Sequence, residues 1–386
     1  MPRGPLRLAG SFVVLIAVLV AAARAGAIET MAREAFLMDM TTESVLMEKN
    51  ADAPMAPASM SKLMTIYMVM ERLQDGHLSL DDTFSVSETA WRKGGAKSGS
   101  STMFLNPGSR VRVEDLLRGI VVQSGNDASI VIAEGLSGSE GQFALEMNLR
   151  AREMGLEDTN FVNSTGWPDP EHRTTARDLA HLAKRTITDF PQYYHYYAEK
   201  TFTYNGIRQG NRNPLLYKDL GADGLKTGHT RASGYGLVAT VKRGERRLIL
   251  VVNGLPSVKA RARESERLIE RGYREFQNYA LFKAGERVTD ADVWLGTSPT
   301  VALYIENDLL ITLPRKARRG MKVSVRYEGP IPAPIKAGDR LALLTVTAPG
   351  TDPTEVPLVA AEDVERLGFL GRLGTALKSI LWGASG

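Results

Sequence analysis

Apolar positions in the first two-thirds of the chain recur at two different periods. Residues 35–39 and 45–49 are short apolar-rich runs separated by Thr41-Thr42-Glu43-Ser44, which predicts a hairpin. Beyond Pro54 and Pro57, Leu63, Met64, Ile66, Tyr67, Met70 and Leu73 give a broad apolar face at helical spacing, stopped near Gly76. Further helical patterns cover 113–122, 126–133, 142–154 and 175–187. Residues 234–241 and 247–252, joined around Arg243-Gly244, predict a second hairpin, and a charged helix follows over about 261–276.

The pattern changes near Tyr279. Val293/Leu295, Leu303/Ile305, Val323/Val325/Tyr327 and Leu341/Leu343 alternate, with Pro and Gly between them, which predicts a small β domain of short strands over 279–365. Within it Arg315, Lys316, Arg318 and Arg319 read as a solvated turn rather than a nucleic-acid patch. In 366–386, Leu367, Phe369, Leu370, Leu373, Leu377, Ile380 and Leu381 fall on one side of a helix, and Trp382 follows. The only charges there are Arg366, Arg372 and Lys378. That combination describes an amphipathic helix lying in an anionic membrane surface; the alternative is a terminal helix docked on the β domain.

The opposite end carries an address. Arg3 and Arg7 precede an uncharged run over 12–23, and Ala23-Arg24-Ala25 or Ala25-Gly26-Ala27 offers a small-x-small cleavage site. This is the pattern of a secretory signal peptide over 1–27, the apolar run being short for a membrane span; an uncleaved anchor is the alternative. The mature chain would then work outside the cytoplasm, with residues 28–278 as its main domain. Charge adds to this picture. The formal +4 falls to +1 without Arg3, Arg7 and Arg24, which removes the case for a nucleic-acid partner. The absence of cysteine from all 386 residues excludes disulfides, thiol nucleophiles and Cys-ligated metals.

The histidines (His77, His172, His181, His195 and His229) form no zinc spacing, and neither a Gly-x-Ser-x-Gly elbow nor a phosphate-binding loop occurs. No metal or cofactor is expected. Three other elements carry chemistry. Ser59-Met60-Ser61-Lys62 opens the first apolar helix, so Ser59 and Lys62 lie on one face, where a neutral lysine can serve as base for a serine nucleophile. Alone, Lys62 would pass for a snorkelling surface lysine. Ser124-Gly125-Asn126, between two helical patterns, would alone pass for a helix cap. Lys226-Thr227-Gly228-His229 is strand-like; Gly228 admits close backbone approach and Thr227 offers a hydroxyl, but an edge-strand lysine is the plain alternative.

In this order, 65 and 102 residues apart, the three resemble the Ser-x-x-Lys, Ser-x-Asn and Lys-Thr-Gly set of penicillin-binding proteins and serine β-lactamases. The stretches Pro57-Ala58-Ser59-Met60-Ser61-Lys62, Gln123-Ser124-Gly125-Asn126-Asp127, Asp223-Gly224-Leu225-Lys226-Thr227-Gly228-His229 and Phe202-Thr203-Tyr204-Asn205-Gly206 look like the low-molecular-mass penicillin-binding proteins, serine-type D-alanyl-D-alanine carboxypeptidases. The resemblance covers essentially the whole mature chain. It implies an α/β (α+β) catalytic domain of the β-lactamase/DD-peptidase type, an antiparallel sheet flanked by helices, followed by a small β-sandwich and the C-terminal amphipathic helix at the periplasmic face of the inner membrane.

The resemblance also implies the roles. The substrate class is the peptidoglycan stem peptide ending in D-Ala-D-Ala, with β-lactams as covalent inhibitors. Ser59 is the nucleophile and Lys62 its base, its pKa lowered by Lys226 nearby. Ser124 relays the proton and Asn126 holds the substrate backbone. The N–H groups of Ser59 and His229 hold the oxyanion. Thr227 and Arg261 clamp the terminal carboxylate; Arg263, Arg267, Arg271 and Arg274 compete with Arg261 for that part. The alternatives are a D,D-endopeptidase of the same family and a serine β-lactamase. The latter would need a loop glutamate such as Glu171, which lacks the Glu-x-x-x-Asn arrangement of class A enzymes.

Overall fold

The computed structural model describes residues 29–369 and 371; the predicted signal segment and most of the predicted terminal helix lie outside them. Among the described residues no helix is long and apolar enough to cross a membrane.

The expected hairpin is β1 (Glu34–Asp39) and β2 (Val45–Lys49). A 3-10 turn, Ala58–Ser61, runs into α1 (Lys62–Gln74), followed by β3 (Thr83–Ser85), α2 (Glu88–Gly94) and β4 (Arg110–Arg112). Next come α3 (Val113–Gln123), α4 (Asn126–Ser137), α5 (Glu140–Glu153) and α6 (Ala176–Asp189). Then β5 (Thr201–Tyr204) pairs with β6 (Ile207–Gly210), and β7 (Ala222–Thr230), β8 (Gly234–Arg243) and β9 (Arg246–Leu255) lead into α7 (Val258–Glu275).

The central sheet is antiparallel in the order β2-β1-β9-β8-β7. Successive side chains of a strand face opposite ways, and here both faces are covered. Leu248, Leu250 and Val252 of β9 pack with Leu268 and Ile269 of α7, whereas Ile249 and Val251 join Leu63, Met64 and Leu179 in the helical lobe. That explains an unbroken apolar run where a half-exposed strand would alternate. Ser257 caps α7 by accepting from Ala260 N at 3.0 Å, which fixes where Arg261 enters.

The second part contains β10 (Phe276–Phe282), β11 (Arg287–Trp294), β12 (Thr300–Ile305), β13 (Leu309–Pro314), β14 (Lys322–Arg326), β15 (Ile331–Pro332), β16 (Arg340–Thr347) and β17 (Thr354–Ala360). A six-stranded sheet, β14-β16-β17-β12-β11-β15, and the pair β10–β13 enclose a core of Leu303, Ile305, Ile311, Leu313, Leu344 and Leu358. The chain enters this part at Phe276, whose partner is Pro314, ahead of the expected boundary at 279. Arg315, Lys316, Arg318 and Arg319 lie exposed on the turn between β13 and β14.

Two expectations need correcting. Leu295 does not continue its strand: β11 ends at Trp294, and Leu295 has φ +56°, turning the chain over Gly296. The 261–276 helix starts earlier, at Val258, and Phe276 belongs to β10. The elements β3, β4 and α2 had no expectation at all, being too short to show a period.

Candidate active site

Three elements converge between the sheet and the helical lobe: the 3-10 turn before α1, the α3–α4 junction and β7. Ser59 lies in the 3-10 turn, not in the α-helix; residues three apart eclipse in that geometry, which aligns Ser59 with Lys62. Lys62 is fully buried at the start of α1. Its Nζ stands 3.0 Å from Ser59 Oγ, 2.7 Å from Asn126 Oδ1 and 2.5 Å from the carbonyl of Thr165. The two carbonyl oxygens can only accept, so a neutral amine gives them both its protons and turns its lone pair to the one partner able to donate, the Ser59 hydroxyl.

Ser124 ends α3 in the left-handed region, φ +60°, and Asn126 begins α4. Asp127, fully buried, fixes this junction: its carboxylate accepts from Thr102 Oγ1 at 2.7 Å, Met103 N at 2.9 Å and Leu105 N at 3.1 Å. On β7, Lys226 Nζ donates to Ser124 Oγ at 2.8 Å and to the Thr227 carbonyl at 3.1 Å. Thr227 is buried, and Gly228 packs on the 3-10 turn. The His229 ring is exposed and stacked on Tyr235, with centroids 3.8 Å apart.

Electrostatics single out Lys62. Burial, then the Arg212 guanidinium, pull its amine down to about 7, against the opposing fields of Asp127 and Glu140. The expected cause was Lys226; the structure assigns the shift to burial first and to Arg212 next. Lys226 is itself pushed well below the usual lysine range by burial, then by Lys62, Arg212 and Arg261. Burial distinguishes the arginines of α7: Arg261 is 6% exposed, while Arg263 and Arg274 are exposed and Arg267 and Arg271 pair with Glu264 and Glu275. Arg261 makes only long bonds, 3.4 Å each, to the carbonyls of Gly236 and Arg212, and its Nε is buried without a partner. Burial lowers it to about 10. Glu171 is exposed and paired with Arg173 at 2.8 Å.

Sequence reasoning missed Arg212, Thr165 and the Asp127 anchor. Arg212 had a faint signal, a cation between two asparagines shortly before Lys226; Thr165 contributes a backbone carbonyl, which no side-chain pattern reveals.

A family model described as D-alanyl-D-alanine carboxypeptidase matches residues 20–257, and a second, the C-terminal domain of penicillin-binding protein 5, matches 276–366. The D-alanyl-D-alanine carboxypeptidase DacC of Escherichia coli is 40% identical over 89% of this chain and 86% of its own length. The chain belongs to the D-alanyl-D-alanine carboxypeptidase family. Solved relatives have the same architecture. Penicillin-binding protein 5 of Haemophilus influenzae superposes with a TM-score of 0.77 at 35% identity, covering 88% of this chain and 98% of that one. The carboxypeptidase DacD of Francisella tularensis gives 0.79 at 30%, covering 89% and 96%. The α+β catalytic part followed by an all-β part is therefore the architecture of this family, and the chain is a serine-type peptidase.

Proposed function

We propose that this protein is a serine-type D-Ala-D-Ala carboxypeptidase that removes the terminal D-alanine from peptidoglycan stem peptides. The observation that carries the reading is the pair of lysine contacts to the middle motif, Lys62 to Asn126 and Lys226 to Ser124, which joins the three motifs into one buried site.

Lys62, neutral above about 7, takes the proton as Ser59 Oγ attacks the penultimate carbonyl. The N–H groups of Ser59 and His229 receive the oxyanion. Asn126, its Oδ1 accepting from Lys62, has its Nδ2 left for a substrate carbonyl. Ser124, held by Lys226, both accepts and donates, and so passes the proton to the departing amine. D-Alanine leaves, and water hydrolyses the acyl-enzyme. Thr227 and Arg261 bind the free carboxylate, for which a planar guanidinium short of strong partners is suited. β-Lactams acylate the same serine. Residues 1–27 serve as the signal peptide, 28–275 as the catalytic domain, 276–365 as a spacer, and 366–386 as a peripheral anchor at the periplasmic face of the inner membrane.

The test is D-alanine release from a diacyl-Lys-D-Ala-D-Ala peptide by the mature protein and by Ser59→Ala. Release that disappears in the variant is expected. No release by either protein would move the reading to an endopeptidase acting on crosslinked stems.

A further inference from the structure

His172 had no role in the site as read from sequence, yet it is buried, 3% exposed, and connects two walls of it. Its Nδ1 accepts from the backbone N–H of Val162 at 3.0 Å, so that nitrogen carries no proton. The proton is on Nε2, which faces Ser61 Oγ at 2.7 Å. Ser61 in turn donates to the carbonyl of Ala58 at 2.9 Å. The donors therefore run one way: Val162 N–H to His172, His172 to Ser61, Ser61 to Ala58. Burial keeps the imidazole neutral, its pKa pulled down to about 4.

The end of this chain of donors is the peptide between Ala58 and Ser59. Ala58 has φ +49°, a left-handed conformation costly for a residue with a Cβ, so this peptide needs outside support. Its C=O is pressed on by Gly166, where a Cβ would stand 1.9 Å from the Ala58 oxygen. Its N–H is that of Ser59. A hydrogen bond to the carbonyl of a peptide both fixes its plane and polarises its N–H.

We propose that His172 is a positioning residue for the oxyanion hole, acting through Ser61 to orient and polarise the peptide whose N–H receives the oxyanion. The proposal rests on Ser59 being the nucleophile and one oxyanion donor. It is distinct from general packing because it acts on developing charge rather than on substrate binding. Glutamine can reproduce both bonds of this histidine, donating through Nε2 and accepting through Oε1; phenylalanine fills the space and reproduces neither.

The experiment compares wild type, His172→Gln, His172→Phe and Ser61→Ala in three readouts: acylation rate by a β-lactam, KM for the D-Ala-D-Ala peptide, and affinity for a peptide boronic acid, whose tetrahedral adduct carries the oxyanion charge. Acylation and boronate affinity are expected to fall about tenfold in His172→Phe and in Ser61→Ala, a fraction of the loss of a whole oxyanion donor, with KM nearly unchanged. His172→Gln is expected to keep most of both. Should His172→Phe not fold, Ser61→Ala carries the test alone. Unchanged acylation and boronate affinity in folded His172→Phe or Ser61→Ala, or His172→Gln failing as badly as His172→Phe, overturns the proposal. A wild type that β-lactams do not acylate overturns the Ser59 assignment and this proposal with it.

Discussion

A Cβ placed on Gly228 would stand 2.7 Å from the carbonyl oxygen of Pro57. The backbone of β7 thus touches the turn that carries Ser59, and this contact limits how closely Thr227 and Ser59 approach. Gly228→Ala must push the two apart, because the opposing atom is backbone and Met60 Cγ and N also stand within 3.2 Å of the new methyl. The expected cost is about 1–3 kcal/mol of stability, seen as a lowered Tm, together with slowed β-lactam acylation. Acylation at the wild-type rate would show that the approach is not needed for the site.

The rate should follow the ionisation of Lys62. Its amine is pulled down to about 7; below that it is an ammonium with no lone pair for the Ser59 proton, and above it the amine is free for the proposed part of base. kcat/KM for D-alanine release should therefore rise through about pH 7, falling about tenfold per unit on the acid side. An acid limb that begins several units lower would mean that another group takes the proton.

Ser124→Ala removes the hydroxyl that accepts from Lys226 Nζ at 2.8 Å. As the proposed proton relay, its loss should lower kcat about a hundredfold or more, with D-alanine release measured at saturating peptide. The fold should survive, since Ser124→Ala leaves the Asp127 anchor of the α3–α4 junction in place. Near-normal kcat would leave Ser124 without a catalytic part.

How much of this was legible in advance differs by residue type. Ser59, Lys62, Ser124 and Lys226 stood out because their chemistry is in the side chain and their spacing is characteristic. The long helices were visible through their period, and β9 through an unbroken apolar run whose two sets face opposite layers. The Thr165 carbonyl was not legible, because a backbone acceptor leaves no residue signature. Nor was the cause of the Lys62 shift, which depends on how deeply the amine is buried and on a guanidinium 150 residues away in sequence. His172 shows the same limit from the other side, since its partner Ser61 lies 111 residues away and the pair forms no motif.

Arg261 and its long bonds give a prediction about substrate ends. A guanidinium that gains a carboxylate contributes a charge-assisted hydrogen bond of about 1.5–3 kcal/mol. Arg261→Ala should therefore weaken kcat/KM for peptides with a free D-alanine carboxylate about tenfold to a hundredfold. The same peptide ending in a carboxamide should be processed poorly and almost equally by both proteins. Equal losses on both substrates would mean that Arg261 acts on the fold or on the lysines rather than on the carboxylate.

The fate of a β-lactam adduct separates the carboxypeptidase reading from a β-lactamase. Acylation of Ser59 needs only the groups already described, but release needs a water activated on the far side of the ester. The loop carboxylate suggested by sequence, Glu171, is exposed and held by Arg173. Glu140, whose field reaches Lys62, accepts from Ser164 Oγ at 2.8 Å and from Ser164 N. Both carboxylates are therefore committed elsewhere, and neither is set to serve as a general base. The adduct should persist: intact-mass spectra taken through an hour after mixing should show one added β-lactam on the mature protein and none on Ser59→Ala. Return to the free mass within the mixing time would mean that the β-lactam ester is hydrolysed without either of these carboxylates, and would place the chain's activity with the β-lactamases.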